Sequence, residues 1–145
     1  MMTRGTFAGL LLLCFLSGNA AAQCPAGFLD AGELTASAPA GRYQEVSVTR
    51  DLLLPKGIRL DDSYRQKTIQ AAGDGAASSM RAAQIPAGIH LIPGGRSGGG
   101  WWSIDNPKLE PATQPKFKID FYVNSGIGGR GGSDVRVRVC VKPMQ

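Results

Sequence analysis

Two stretches with a strict period of two constrain this chain more than any other feature. In residues 117–123, Phe117, Ile119, Phe121 and Val123 alternate with Lys118, Asp120 and Tyr122. In residues 135–141, four valines at 135, 137, 139 and 141 alternate with Arg136, Arg138 and Cys140. Side chains of a β-strand point to opposite faces in turn, so each run reads as a strand with one apolar and one polar face. A one-residue slip would turn the apolar set to water, which fixes the register firmly. Residues 124–134 hold five glycines between the runs. The expectation is an antiparallel pair joined by a long loop, with Cys140 on the valine-free face.

Glycine and proline divide the rest into short pieces, as in a β domain rich in turns. Val46 and Val48 alternate with Glu45, Ser47 and Thr49, and this strand runs on into Leu52–Leu54. A turn at Pro55-Lys56-Gly57 leads to a strand at Ile58–Leu60. Ile89–Ile92 reads as a strand ended by Pro93-Gly94-Gly95, and residues 24–41 read as an irregular arm. Residues 107–115 contain three prolines and read as an extended connection. Residues 65–85 are ambiguous. Ile69, Ala72, Ala76, Met80 and Ala83 recur at helical spacing. Gly73 and Gly75 each cost about 1 kcal/mol inside a helix, and Gly73-Asp74-Gly75 equally suits a hairpin tip. The fold class expected is all-β: a small antiparallel β-sandwich or jelly-roll-like domain with room for one short helix.

The N-terminus carries an export pattern. Arg4 precedes a nearly continuous apolar run from Phe7 to Leu16, followed by small residues ending at Ala20-Ala21-Ala22. This order is that of a cleaved secretory signal. The apolar run of about 10 residues is too short for a bilayer core that needs roughly 20. Gln23 before Cys24 and Leu13 before Cys14 are too large for a lipid-attachment site. Residues 1–22 are therefore expected to be a signal peptide and 23–145 a single β-rich domain, secreted or periplasmic, with no membrane span. Its 123 residues can bury one modest core.

Removing Cys14 with the signal leaves Cys24 and Cys140, a pair best read as a disulfide in an oxidising compartment. The bond would close a loop of about 115 residues and contribute on the order of 4 kcal/mol through the entropy of the unfolded chain.

The formal charge is +5, with both signs scattered. Gly128-Gly129-Arg130-Gly131-Gly132 has the look of a nucleic-acid segment, but export removes that partner. A mild basic excess mainly favours solubility, and beyond that anionic lipids, acidic glycans or an acidic protein.

Catalytic sets are missing. His90 is the one histidine, and no G-x-S-x-G elbow accompanies it. Asp61 and Asp62 are adjacent and point apart in extended chain, so they suit a turn better than acid–base work. No calcium-loop spacing is present. No catalytic residue, metal site or cofactor is therefore assigned.

Binding is the more promising chemistry. Five glycines and Arg96 in residues 94–100 lead directly into Trp101-Trp102. On a strand one tryptophan can enter the core while the other stands outside as a platform for a sugar or a protein, or both can be buried, one in each face of a covered sheet. Asp105 and Asn106 follow closely enough to bond hydroxyl groups, or to form a turn before Pro107. Over Trp102-Ser-Ile-Asp-Asn-Pro-Lys-Leu109 the chain resembles the W-x-I-D-x-x-x-L strand of jelly-roll carbohydrate-binding modules. That strand lies near the C-terminus of those modules, whereas two predicted strands follow it here, and no family is assigned from it.

The ligand-binding set expected is thus Arg96, Trp101, Trp102, Asp105 and Asn106, presented by loops 94–106 and 124–134. The function expected is a non-enzymatic exported binding module for a glycan or other surface molecule. A structural or inhibitory protein that docks on another exported protein is the alternative, and a small secreted hydrolase the next.

Overall fold

The computed structural model describes residues 23–69, 82–96, 100–127 and 131–145. The signal reading of residues 1–22 and the helix-or-hairpin question at Gly73–Gly75 lie outside them. The described chain forms six strands: β1 (Leu29–Ala38), β2 (Glu45–Leu53), β3 (Ile89–Arg96), β4 (Trp101–Glu110), β5 (Lys116–Asn124) and β6 (Ser133–Val141). One short 3-10 turn spans Ala82–Gln84. The strands make two three-stranded sheets, β1-β6-β3 and β2-β5-β4, and every pair is antiparallel.

Both alternating runs are strands, but they are not partners. β5 is the centre of one sheet and β6 the centre of the other, so the glycine-rich link between them crosses from sheet to sheet. Periodicity fixes which side chains share a face and is silent about the neighbouring strand. Each central strand takes two partners from elsewhere in the chain, and a hairpin between them would have used one of those edges.

Four further expectations are corrected. The arm at 24–41 contains β1, whose Leu34, Ala36 and Ala38 are buried in alternation while Glu33, Thr35 and Ser37 are exposed. Small alanines serve there because β1 passes close to β2 and β5 of the other sheet. β3 runs through Pro93 to Arg96, and β4 runs through Pro107 to Glu110. Both are edge strands, where a proline with no N–H to give is tolerated, and Pro107 also sits within the register shift between Asp105 and Lys108. Ile58–Leu60 is not a strand; a single bridge joins Leu60 to Pro143.

The core is one cluster fed by both sheets. Trp102, Ile104, Phe117, Ile119, Phe121 and Val123 come from one, and Leu34, Ile89, Leu91 and the four alternating valines from the other. Side chains also close sheet edges. Arg50 of β2 donates from Nε to the Thr35 carbonyl of β1 (3.1 Å). Gln66 places its amide against the free edge of β3 at Leu91.

The Cys24–Cys140 disulfide is formed, with a sequence separation of 116. A bond of this kind persists in oxidising compartments. Cys140 lies on the face away from the valines, between Asp30 of β1 and His90 of β3 in register. Nearby, Arg138 binds both oxygens of Asp30 at 3.1 Å and reaches Glu33 at 3.3 Å. No helix among the described residues is long and apolar enough to cross a membrane.

Candidate functional site

The site is built on the outer face of the β2-β5-β4 sheet. Gly100 starts it: a side chain at that position would run into the Asn124 carbonyl, so only glycine lets the chain pass so close to β5. β4 then begins with the two tryptophans on opposite faces. Trp102 is 0% exposed in the core, whereas Trp101 is 46% exposed. The Trp101 ring lies 6.2 Å from that of Tyr122, inclined by 36°. The Tyr122 hydroxyl donates to Glu45 Oε2 (2.6 Å) and accepts from Asn124 Nδ2 (3.0 Å). The carboxylate of Glu45 that accepts this proton holds the Tyr122 phenol above its ordinary range.

The polar centre lies further along the same face. Asp105 of β4 stands opposite Asp120 of β5. Ser103 Oγ donates to Asp105 Oδ2 (3.1 Å). Asp120 accepts from Thr49 Oγ1 on one oxygen (2.6 Å) and from Asn106 Nδ2 on the other (2.8 Å). These bonds, Thr49 first, hold the Asp120 carboxyl below its ordinary range. Asn106 reaches Asp120 because the register shift turns it, with a left-handed backbone at φ 53°. A hollow of about 370 Å³ lies over Ser47, Thr49, Asp105, Asn106, Asp120 and Tyr122. It shares Thr49, Asn106 and Asp120 with a second of about 560 Å³ that continues towards Lys108, Lys118 and Gln84. Together they make an open groove across all three strands.

Of the residues expected from sequence, the structure brings Trp101, Asp105 and Asn106 together. Trp102 serves the core instead. Arg96 ends β3 opposite Asp134, in the other sheet. Ser47, Thr49, Asp120 and Tyr122 join the site without having been assigned to it. Their signal was the polar half of each alternation, which becomes a surface only once β2, β5 and β4 are known to be neighbours.

A smaller aromatic cluster covers the disulfide end of the other sheet. The Tyr64 hydroxyl and His90 Nδ1 are 2.7 Å apart, and Phe28 packs edge-on against Tyr64 with ring centroids 4.9 Å apart. Burial pushes the His90 pKa down and the Tyr64 pKa up. Asp61 forms the expected turn, accepting from the Ser63 N–H (2.9 Å) and hydroxyl (2.6 Å). Among the described residues no group of three His, Cys, Asp or Glu side chains is arranged to hold a metal ion. Comparison of the chain with protein-family models, with curated proteins and with solved structures finds no match.

Proposed function

We propose that this protein is an exported, non-enzymatic binding module whose two sheets pack as a β-sandwich, and that the outer face of β2-β5-β4 binds a glycan. The observation that carries the reading is the half-exposed Trp101 ring beside Tyr122, on the same face as Asp105, Asn106, Asp120 and Thr49. An aromatic ring offers a flat apolar surface to the C–H face of a sugar, and flanking carboxylates and amides bond its hydroxyls. The disulfide supports export, because such bonds persist outside reducing compartments.

Hydrolysis fits less well. A carboxyl serving as general acid needs a raised pKa, and that of Asp120 is lowered. His90 lies in the other sheet and is engaged with Tyr64.

The test is tryptophan fluorescence with a glycan array, on the wild type and Trp101→Ala. Sugar should shift the wild-type emission, and the variant should bind at least about tenfold more weakly, as loss of a well-placed aromatic anchor does. An array with no responding glycan would sink the proposal, and so would a variant that binds as the wild type does. Recovery of one tightly held exported protein instead would favour the docking alternative.

A further inference from the structure

The side-chain hydrogen bonds in the middle of the outer face of β2-β5-β4 run in one direction, from neutral groups to carboxylates. Thr49 Oγ1 gives its proton to Asp120 Oδ1 (2.6 Å), Ser103 Oγ to Asp105 Oδ2 (3.1 Å) and the Tyr122 hydroxyl to Glu45 Oε2 (2.6 Å). A hydroxyl has one proton and two lone pairs, so each of these oxygens is left as an acceptor. That of Tyr122 is then taken by Asn124 Nδ2 (3.0 Å), whereas Thr49 lines both hollows of the groove.

Asn106 follows the same rule. Its bond and that of Thr49, and then the charges of Lys108 and Lys118, keep the Asp120 carboxyl ionised. An ionised carboxylate only accepts. It therefore takes the NH2 end of the Asn106 amide (2.8 Å), which turns Oδ1 away from it. The two bonds to Asp120 lie exposed, where water competes and a hydrogen bond adds little stability. What they fix is the position of protons before a ligand arrives.

The result is a hollow of about 370 Å³ rich in acceptors, from Asp105, Asp120, Thr49 and Asn106. The Ser47 hydroxyl and the second N–H of Asn106 remain there as side-chain donors. Cationic donors stand in the neighbouring hollow of about 560 Å³, which Lys108 and Lys118 line with Gln84, Lys118 being bonded to Glu110 (3.3 Å).

Resting on the glycan reading, we infer that the smaller hollow reads a sugar through protons that the sugar donates. Its ligand presents at least two free hydroxyls there, and a unit whose hydroxyls are alkylated or acylated is refused. Asp120 is a positioning residue, which acts by holding Thr49 and Asn106 with their acceptor atoms available to the ligand.

The experiment uses an array of glucose, galactose, mannose and N-acetylglucosamine disaccharides, each beside its singly deoxyfluorinated forms. Fluorine is close to a hydroxyl in size and has no proton to give. Wild-type affinity for the best-bound disaccharide should fall about ten- to a hundredfold when either of two hydroxyls is replaced, as loss of a bond to a charged or polarised acceptor does. Asp120→Asn keeps the shape of the side chain and gives it a donor, so Thr49 or Asn106 must turn a proton outward. This variant should bind the parent sugar less well and bring parent and fluorinated forms within about threefold of each other. Thr49→Val, which leaves Asp120 in place, should lose the discrimination at one hydroxyl only.

A wild type that binds every fluorinated form as it binds the parent overturns this inference and leaves glycan binding standing. So does an Asp120→Asn variant that discriminates as the wild type does, or that weakens parent and fluorinated forms in the same ratio. Should Asp120→Asn fail to fold, Thr49→Val decides: unchanged discrimination at every hydroxyl overturns the inference. A wild type that binds nothing on the array overturns both readings.

Discussion

The side-chain amide of Gln66 engages both backbone groups of Leu91. The Leu91 N–H donates to Gln66 Oε1 (2.8 Å), and Gln66 Nε2 donates to the Leu91 carbonyl (3.0 Å). Gln66 therefore stands where a fourth strand would pair with β3, and Pro93, two residues on, has no N–H to offer. The edge of this sheet is satisfied by one buried side chain, which also removes a template for pairing with another chain.

Gln66→Ala should cost roughly 2–4 kcal/mol, because two buried backbone groups lose their partners. Gln66→Glu should be no better at neutral pH. The carboxylate keeps the acceptor for the Leu91 N–H but cannot donate to the Leu91 and Thr68 carbonyls. It should recover as acid protonates it. Urea unfolding of the three proteins checks this, and an alanine variant as stable as the wild type would refute it.

Reduction of Cys24–Cys140 should lower stability by roughly 4–5 kcal/mol in the chain-entropy account, given the long loop it closes. The double variant Cys24→Ala/Cys140→Ala should match the reduced wild type. A denaturation midpoint indifferent to reductant would show that the bond carries no such load.

The adjacent tryptophans should separate stability from binding. Trp102→Ala removes a fully buried ring and should cost about 3–5 kcal/mol. Trp101→Ala should stay within about 1 kcal/mol of the wild type, as surface changes generally do. Thermal unfolding of both variants is the measurement, and comparable losses would mean that Trp101 is structural.

His90 should make the fold sensitive to mild acid. Burial lowers its folded pKa, so the unfolded chain binds the proton more readily below about pH 6.5. Stability from this residue is complete above that pH and falls as the pH drops towards the folded value. Tyr64 and Phe28 face the imidazole, Asp30 lies across the disulfide strand, and Lys142 stands 5.6 Å from the centroid of the Tyr64 ring. Comparing unfolding free energies of the wild type and His90→Gln between about pH 7.5 and 5 should show a loss confined to the wild type. Parallel curves would disprove it.

The residues that announced themselves in the sequence were those whose neighbours do not matter. The cysteine pair, the faces of Phe117–Val123 and Val135–Val141, and the opposite facing of Trp101 and Trp102 all follow from count or period alone, while the exposure of Trp101 needed the sheet. β1 was hidden because Ala36 and Ala38 contribute so little apolar contrast. The true length of β4 was hidden by Pro107, which an edge strand accepts. The groove was hidden most deeply: Thr49, Asn106 and Asp120 are spread over 72 residues, and only the pairing of β2 and β4 with β5 makes them one surface.

The order of the strands also sets a timetable. β1 and β3 touch no strand of their own sheet except β6, which follows both in the chain. During synthesis, which runs from the N-terminus, β2, β4 and β5 can assemble while β1 and β3 still wait unpaired. The whole β1-β6-β3 sheet must then form at once when β6 emerges, bringing Cys140 to the long-waiting Cys24. A chain interrupted before Ser133 would lack one entire sheet rather than one strand, with its earlier edges bare.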